Sequence, residues 1–155
     1  MKIVLAKTTD APMIHNLMIQ AFSAYKDEIP PSSALEETVH SITLALEDGE
    51  RALICTIKEE PVGMVRFQLY ENDVYFYRLS VLPEKQGQGL AKKLLGSLES
   101  YALEQGKNVI RCKVRMTVPK NIQLYRSIGY HIYDEETIPK PNGLSLPVVS
   151  MMKKL

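Results

Sequence analysis

Apolar and polar positions alternate along this chain in two different rhythms, and the change of rhythm marks the elements. Lys2 to Ala6 is a short apolar run and reads as a strand. Thr9 or Asp10 then stands where a helix N-cap belongs, with Pro12 in the first turn, where a missing N–H does no harm. Ile14, Leu17, Met18, Ala21, Phe22 and Tyr25 follow at helical spacing and predict one buried stripe. A second helix is expected to open at Ser33-Ala34-Leu35-Glu36, a capping box, run through Leu35, Val39, Ile42 and Leu46, and stop at Gly49. Between the two helices, Lys26 to Ser32 forms an acidic, proline-stiffened loop.

The middle of the chain changes to a strand rhythm. Ala52 to Lys58, Val62 to Leu69 and Val74 to Val81 read as antiparallel neighbours, joined by turns at Glu59-Glu60-Pro61 and Glu71-Asn72-Asp73. The third run is β-branched and aromatic with little alternation, the pattern of a central strand covered on both faces. Helical spacing returns from Leu90 to Gln105, with Leu90, Leu94, Leu95, Leu98 and Ala102 on one side and Gly106 as the stop. Val109 to Arg115 then alternates Ile110, Cys112 and Val114 with Arg111, Lys113 and Arg115, a half-buried strand. Strand, helix, strand in this order implies a right-handed crossover and a parallel pair. A short helix from Asn121 to Ile128 ends at Gly129, and strands follow near Tyr130 to Glu136 and Leu146 to Lys153. The expected architecture is α/β (α+β): one domain over residues 1–155, its mixed, mostly antiparallel sheet of about seven strands flanked by helices.

Composition narrows the class without naming a function. Hydrophobic residues at 45% and charged residues at 24% exclude a disordered or collagen-like chain, and no apolar run has the length of a membrane helix. The first residues, Met1 to Lys7, are too short an apolar stretch for a secretory signal, so a cytoplasmic protein is expected. Cys55 and Cys112 sit inside apolar or alternating runs as small core residues; with no CxxC or Cys/His cluster, no metal is expected. Net charge is +1, which gives no reason to expect nucleic acid or a membrane as partner. Its distribution is uneven. Residues 1–77 carry 6 basic against 12 acidic side chains and residues 78–155 carry 13 against 6, so the halves hold −6 and +7.

The segment with the most chemistry is Val81-Leu82-Pro83-Glu84-Lys85-Gln86-Gly87-Gln88-Gly89-Leu90-Ala91-Lys92, a glycine-rich loop between a central strand and a helix. Glycines let the backbone approach an anion, and the free N–H groups of the first helical turn point at it with the positive end of the helix dipole. Two phosphate motifs fail here. No Gly-Lys-Ser/Thr is present for a Walker loop, and Lys92 stands where a dinucleotide fingerprint needs its last small residue.

Gln86-Gly87-Gln88-Gly89-Leu90-Ala91 resembles the [Q/R]-x-x-G-x-[G/A] signature of the GNAT superfamily of N-acetyltransferases. The resemblance extends to the Leu79 to Glu84 strand end before it, the amphipathic helix after it, and the late helix and strand in Asn121-Ile-Gln-Leu-Tyr125-Arg-Ser-Ile-Gly129-Tyr130. It implies that the central parallel strands, Val74 to Val81 and Val109 to Arg115, splay apart around acetyl-CoA. The loop residues Gln86, Gly87, Gln88, Gly89, Leu90, Ala91 and Lys92 would then hold its pyrophosphate. Leu79 and Val81 would contact pantetheine through the main chain, Asn121 would contact it at a helix start, and Tyr125 would be the general acid. Taken alone, Tyr125 shares a helical face with Ile122 and Ile128 and reads first as a core or rim aromatic with a hydrogen-bonded tip; His15, His40 and His131 are scattered and read as solvated or packed.

The implied function is acetyl-CoA-dependent acetylation of a primary amine, on a small molecule or a peptide, by direct attack and without a metal. An acyl-CoA-binding sensor that does no chemistry is the alternative. Some family members carry a glutamate early on the central strand, whereas this chain has Tyr75-Phe76-Tyr77-Arg78, so the general base stays open between relayed water and an acid such as Glu28. Asp27 and Glu28 suit a cationic acceptor, and Lys85, Lys92, Lys93 and Lys120 suit CoA phosphates. The acceptor walls are expected from Phe22 to Ala34 and from Pro139 to Pro147, and exposed strand edges near the C-terminus permit a homodimer.

Overall fold

The computed structural model describes residues 1–23, 32–141 and 143–155. Seven strands form one sheet: β1 (Lys2–Leu5), β2 (Arg51–Ile57), β3 (Glu60–Leu69), β4 (Asp73–Val81), β5 (Val109–Arg115), β6 (His131–Pro139) and β7 (Ser145–Lys154), in the order β1-β2-β3-β4-β5-β7-β6. Only β4 and β5 are parallel. The described helices are α1 (Ala11–Phe22), α2 (Val39–Glu47), α3 (Leu90–Glu104) and α4 (Pro119–Ser127). The expected seven strands, the parallel β4–β5 pair and the limits of β5 are those observed; in addition β7 is inserted between β5 and β6.

Strand alternation sorts the apolar residues into two cores, one on each face. Val65, Phe67, Phe76 and Ile110 meet Leu94, Leu95 and Leu98 of α3 on one side. Ala52, Ile54 and Met64 meet Ile14, Leu17 and Met18 of α1 and Ile42 of α2 on the other. The central strand β4 is covered on both faces, though unequally: Val74 and Phe76 are buried, while Tyr75 and Tyr77 are half-buried on the α1 side.

Arg66 is 3% exposed in the second core. Its Nε and Nη2 donate to the two oxygens of Glu50 at 2.8 and 3.0 Å, and its Nη1 donates to Glu37 at 2.8 and 2.9 Å. Burial alone lowers the pKa of this guanidinium, but Glu50 and Glu37 more than offset that and hold it above its ordinary value. Glu37 also accepts from Arg78 Nε at 2.9 Å, and Tyr77 donates its hydroxyl to Glu50. Two acids and two arginines thus tie α2 and the start of β2 to β3 and β4.

This network explains where the second helix departs from its expected form. A single helix from Ser33 to Gly49 is not formed; a 3-10 turn, Ser33–Glu36, precedes α2. Glu37 between them is extended (φ −71°, ψ 150°), which lets its carboxylate reach Arg66 and Arg78. The caps follow the break: Ser32 Oγ accepts from Ala34 N at 3.2 Å, and Thr38 with Ser41 forms the capping box of α2. The β2–β3 turn also differs. Lys58 and Glu59 form a two-residue hairpin turn, both at positive φ (51° and 68°), and Pro61 lies within β3 beside a register shift at Cys55/Thr56. Asp10 is the N-cap of α1, but its Oδ2 accepts from Lys7 N at 2.8 Å. Tyr25 and Lys26 to Pro31, with Asp27 and Glu28, lie outside the described residues.

Replacing Arg66 by alanine leaves two carboxylates without their buried counter-charge, so Arg66→Ala is expected to destabilise the fold by about 3–5 kcal/mol. Urea unfolding measures this, and a loss within ~1 kcal/mol would show that the network does not tie the sheet to α2.

Candidate active site

The parallel pairing of β4 with β5 is short. Asp73 pairs with Val109, Val74 with Ile110 and Tyr75 with Arg111, after which the strands share no further register. A bulge bends β4 just beyond that point: Met64 faces Ser80 but Arg66 faces Tyr77, so Arg78 and Leu79 together oppose Val65. Arg78 takes the left-handed conformation (φ 56°), at a cost of roughly 1–2 kcal/mol for a residue with a Cβ. Its ion pair with Glu37 and its 3.0 Å hydrogen bond to Ser33 Oγ hold it there.

Two chambers that share lining residues lie along β4 beyond the point where it leaves β5. The larger, about 440 Å³, lies at the start of α3 and is lined by Leu79, Val81, Lys85, Gln86, Gly87, Gly89, Leu90, Ala91, Lys92 and Asn121 among others. These include every residue expected to bind the cofactor except Gln88, which is outside the lining. Lys120 joins Lys85 and Lys92 there, whereas Lys93 does not. The smaller chamber, about 240 Å³, runs under β4 and β5 past Tyr75, Tyr77, Arg78, Lys113 and Arg115. Phe22, Leu79, Asn121 and Tyr125 line both, so Tyr125 stands where the chambers meet. Its ring is buried, edge-on to Phe76 at 5.6 Å and tilted against Tyr130 at 5.9 Å, which fixes its direction.

The glycine loop is shaped for an anion. Gly87 and Gly89 lie at φ 82° and 77°, and the space that a Cβ would take at either position is open. Gly89 is the N-cap of α3 and has no side chain to cap it, so the amides of Leu90, Ala91 and Lys92 keep their N–H groups for a ligand. Gln86 donates Nε2 to the Val81 carbonyl at 3.3 Å and bridges loop to strand.

The smaller chamber holds residues that sequence reasoning did not assign. Tyr77, Arg78, Lys113, Arg115 and Val118 are in its wall, and the one sequence signal for them is the Arg111, Lys113, Arg115 alternation on a half-buried strand. Among the described residues lining either chamber there is no carboxylate. Glu50 is engaged on both oxygens by Arg66 and Tyr77, and Glu37 by two arginines, so neither is placed to act as a base. The Pro139–Pro147 loop, expected as a wall, contributes no described residue to either lining. Among the described residues no cluster of three or more His, Cys, Asp or Glu could hold a metal ion, and no helix is long and apolar enough to cross a membrane.

The model of the acetyltransferase (GNAT) family matches residues 12–130. The chain belongs to that family. A curated relative, the [ribosomal protein bS18]-alanine N-acetyltransferase of Haemophilus influenzae, is 29% identical over 118 residues, covering 70% of this chain and 80% of the relative. The ribosomal-protein-alanine N-acetyltransferase of Brucella melitensis superposes with a TM-score of 0.81 at 19% identity, over the whole of both chains. The yncA protein of Salmonella typhimurium, solved with its cofactor acetyl-CoA, gives a TM-score of 0.74 at 20% identity, over all of this chain and 94% of that one. This GNAT protein is therefore an acetyltransferase by family, with solved neighbours that carry the cofactor.

Cys112 lines the smaller chamber, yet burial pushes its thiol up to about 12, and Cys55 is raised for the same reason. At pH 8 both stay protonated. Neither is expected to react with a disulfide reagent such as dithionitrobenzoate within minutes in the folded protein, while both react after denaturation; rapid labelling of folded protein would contradict the burial of Cys112.

Proposed function

We propose that this protein transfers the acetyl group of acetyl-CoA to a primary amine by direct attack, with the cofactor in the larger chamber and the amine entering from the smaller. The observation that supports this best is the junction at Tyr125, the buried aromatic common to both chambers. When bound, acetyl-CoA supplies an activated thioester. The residues of this chain do the rest. Gly87, Gly89 and the first amides of α3 take the pyrophosphate, with Lys85, Lys92 and Lys120 adding positive charge. The edge of β4 that β5 has left offers main-chain groups at Leu79 and Val81 to the pantetheine arm and the thioester carbonyl, the Val81 carbonyl being held by Gln86. Tyr125 holds the proton that the departing thiolate takes.

The acceptor must arrive as the free base. For a lysine-like amine with pKa ~10.4, deprotonation at neutral pH costs roughly 4 kcal/mol. With no carboxylate among the described lining, the proton leaves through water in the open smaller chamber. Cys112 stays a neutral thiol, in keeping with attack by the amine itself and no acyl-enzyme.

Two variants separate binding from chemistry. Tyr125→Phe is expected to lower kcat about 10²-fold or more while acetyl-CoA affinity by calorimetry stays within threefold. Equal turnover in Tyr125→Phe would remove it as the acid. Gly89→Ala is expected to weaken acetyl-CoA about tenfold, since the added Cβ strains a left-handed residue by about 1–2 kcal/mol. An unchanged affinity there would move the phosphate site away from this loop.

A further inference from the structure

The smaller chamber is chemically one-sided. Its described lining contains three cationic side chains, Arg78, Lys113 and Arg115, three tyrosines and no acid. Arg78 turns its Nε to Glu37 and Lys113 pairs with Glu136 at 2.7 Å, and neither acid is part of the lining. Glu37 is shared with Arg66, so across Glu37, Glu50, Arg66 and Arg78 the charges balance, with the acids on the core side and Arg78 at the chamber. Lys113 and Arg115 project from the same face of β5, two residues apart, beside the gap where β4 has left the sheet. An amine whose own charge is removed for attack gains nothing from such a wall. A second, anionic group on the same molecule does, and a guanidinium can take a carboxylate through two parallel hydrogen bonds.

We propose that the acceptor is an amine that also carries a carboxylate, bound by Arg115 and Lys113 with Arg78 at the bulge, so that the amine is directed to Tyr125. This rests on the acyl-transfer reading above and sets its substrate class: a free amino acid, or a peptide with an acidic residue next to its N-terminal amine. It differs from the cationic acceptor expected from Asp27 and Glu28, which lie outside the described residues; Glu37 and Glu50, the acids bonded to Arg78 and Tyr77 of the wall, are taken up by arginines. The cations also raise affinity most at low salt, where exposed charges are least screened.

Thiol release from acetyl-CoA is compared for Ala-Glu amide and Ala-Gln amide, whose amines are alike, for glutamate as the free amino acid, and for spermidine. The expected result is a kcat/KM at least tenfold higher for Ala-Glu amide than for Ala-Gln amide, or turnover of glutamate alone if the free amino acid is the source. In the double variant Arg115→Gln, Lys113→Gln, KM for the acidic acceptor is expected to rise about tenfold or more with kcat within threefold and acetyl-CoA affinity retained. Equal rates for the two peptides with no turnover of glutamate, or preference for spermidine, overturn the carboxylate proposal and leave acyl transfer standing. If acetyl-CoA binds and nothing in the panel turns over, titration of Ala-Glu amide and glutamate into the CoA-loaded protein decides: binding of either that is lost in the double variant supports the proposal, and no binding overturns it. Failure to bind acetyl-CoA at all overturns the acyl-transfer reading and this proposal with it.

Discussion

The architecture of the site depends on how soon β4 and β5 stop pairing. After three ladder positions, β4 keeps β3 on one side and loses β5 on the other, leaving peptide groups at its free edge in the middle of a sheet. Buried peptide groups without partners are costly, so an internal edge persists only where solvent or a ligand reaches it. Both chambers lie along this edge, and the bulge at Arg78 and Leu79 turns Leu79 and Val81 toward the larger one.

The bulge in turn leans on charges far away in sequence. Arg78 holds an unfavourable backbone conformation because Glu37 and Ser33 meet its side chain, and Glu37 is in place because the chain breaks its helix there. Arg66 joins this arrangement to Glu50 beneath the sheet. The ionic cluster therefore does more than fill the second core: it sets the curvature of the strand that borders the site. Its contribution to net stability is modest, because desolvation of four charges opposes their attraction, but its geometry has few alternatives.

Much of this was readable from residue order. The periodicity of Leu90 to Gln105 and the strict alternation of Val109 to Arg115 placed α3 and β5 within a residue, because one buried face dictates each pattern. The loop from Gln86 to Ala91 was legible because glycine spacing reports backbone conformation directly. The helix break at Glu37 was not, since the cause lies in Arg66 and Arg78, 29 and 41 positions away, and a capping box at Ser33 gives a convincing local signal. Likewise Glu59-Glu60-Pro61 looks like a turn, yet Lys58 and Glu59 make it, because strand register outweighs the turn preference of proline. The cations of the smaller chamber were visible as an alternation, but that β4 leaves one side of β5 open is a fact of topology that no local pattern carries.

The short β4–β5 ladder also divides the sheet mechanically. Strands β1 to β4 form one antiparallel panel and β5, β7 and β6 another, and the seam between them is crossed by three paired positions and bridged by α3. A molecule lying along that seam and bonded to both panels takes the place of the missing ladder, so its binding energy becomes folding energy for the whole chain. On the proposed function acetyl-CoA would serve this fold as a removable strand: filling the cleft would fasten the two panels together along the short β4–β5 seam.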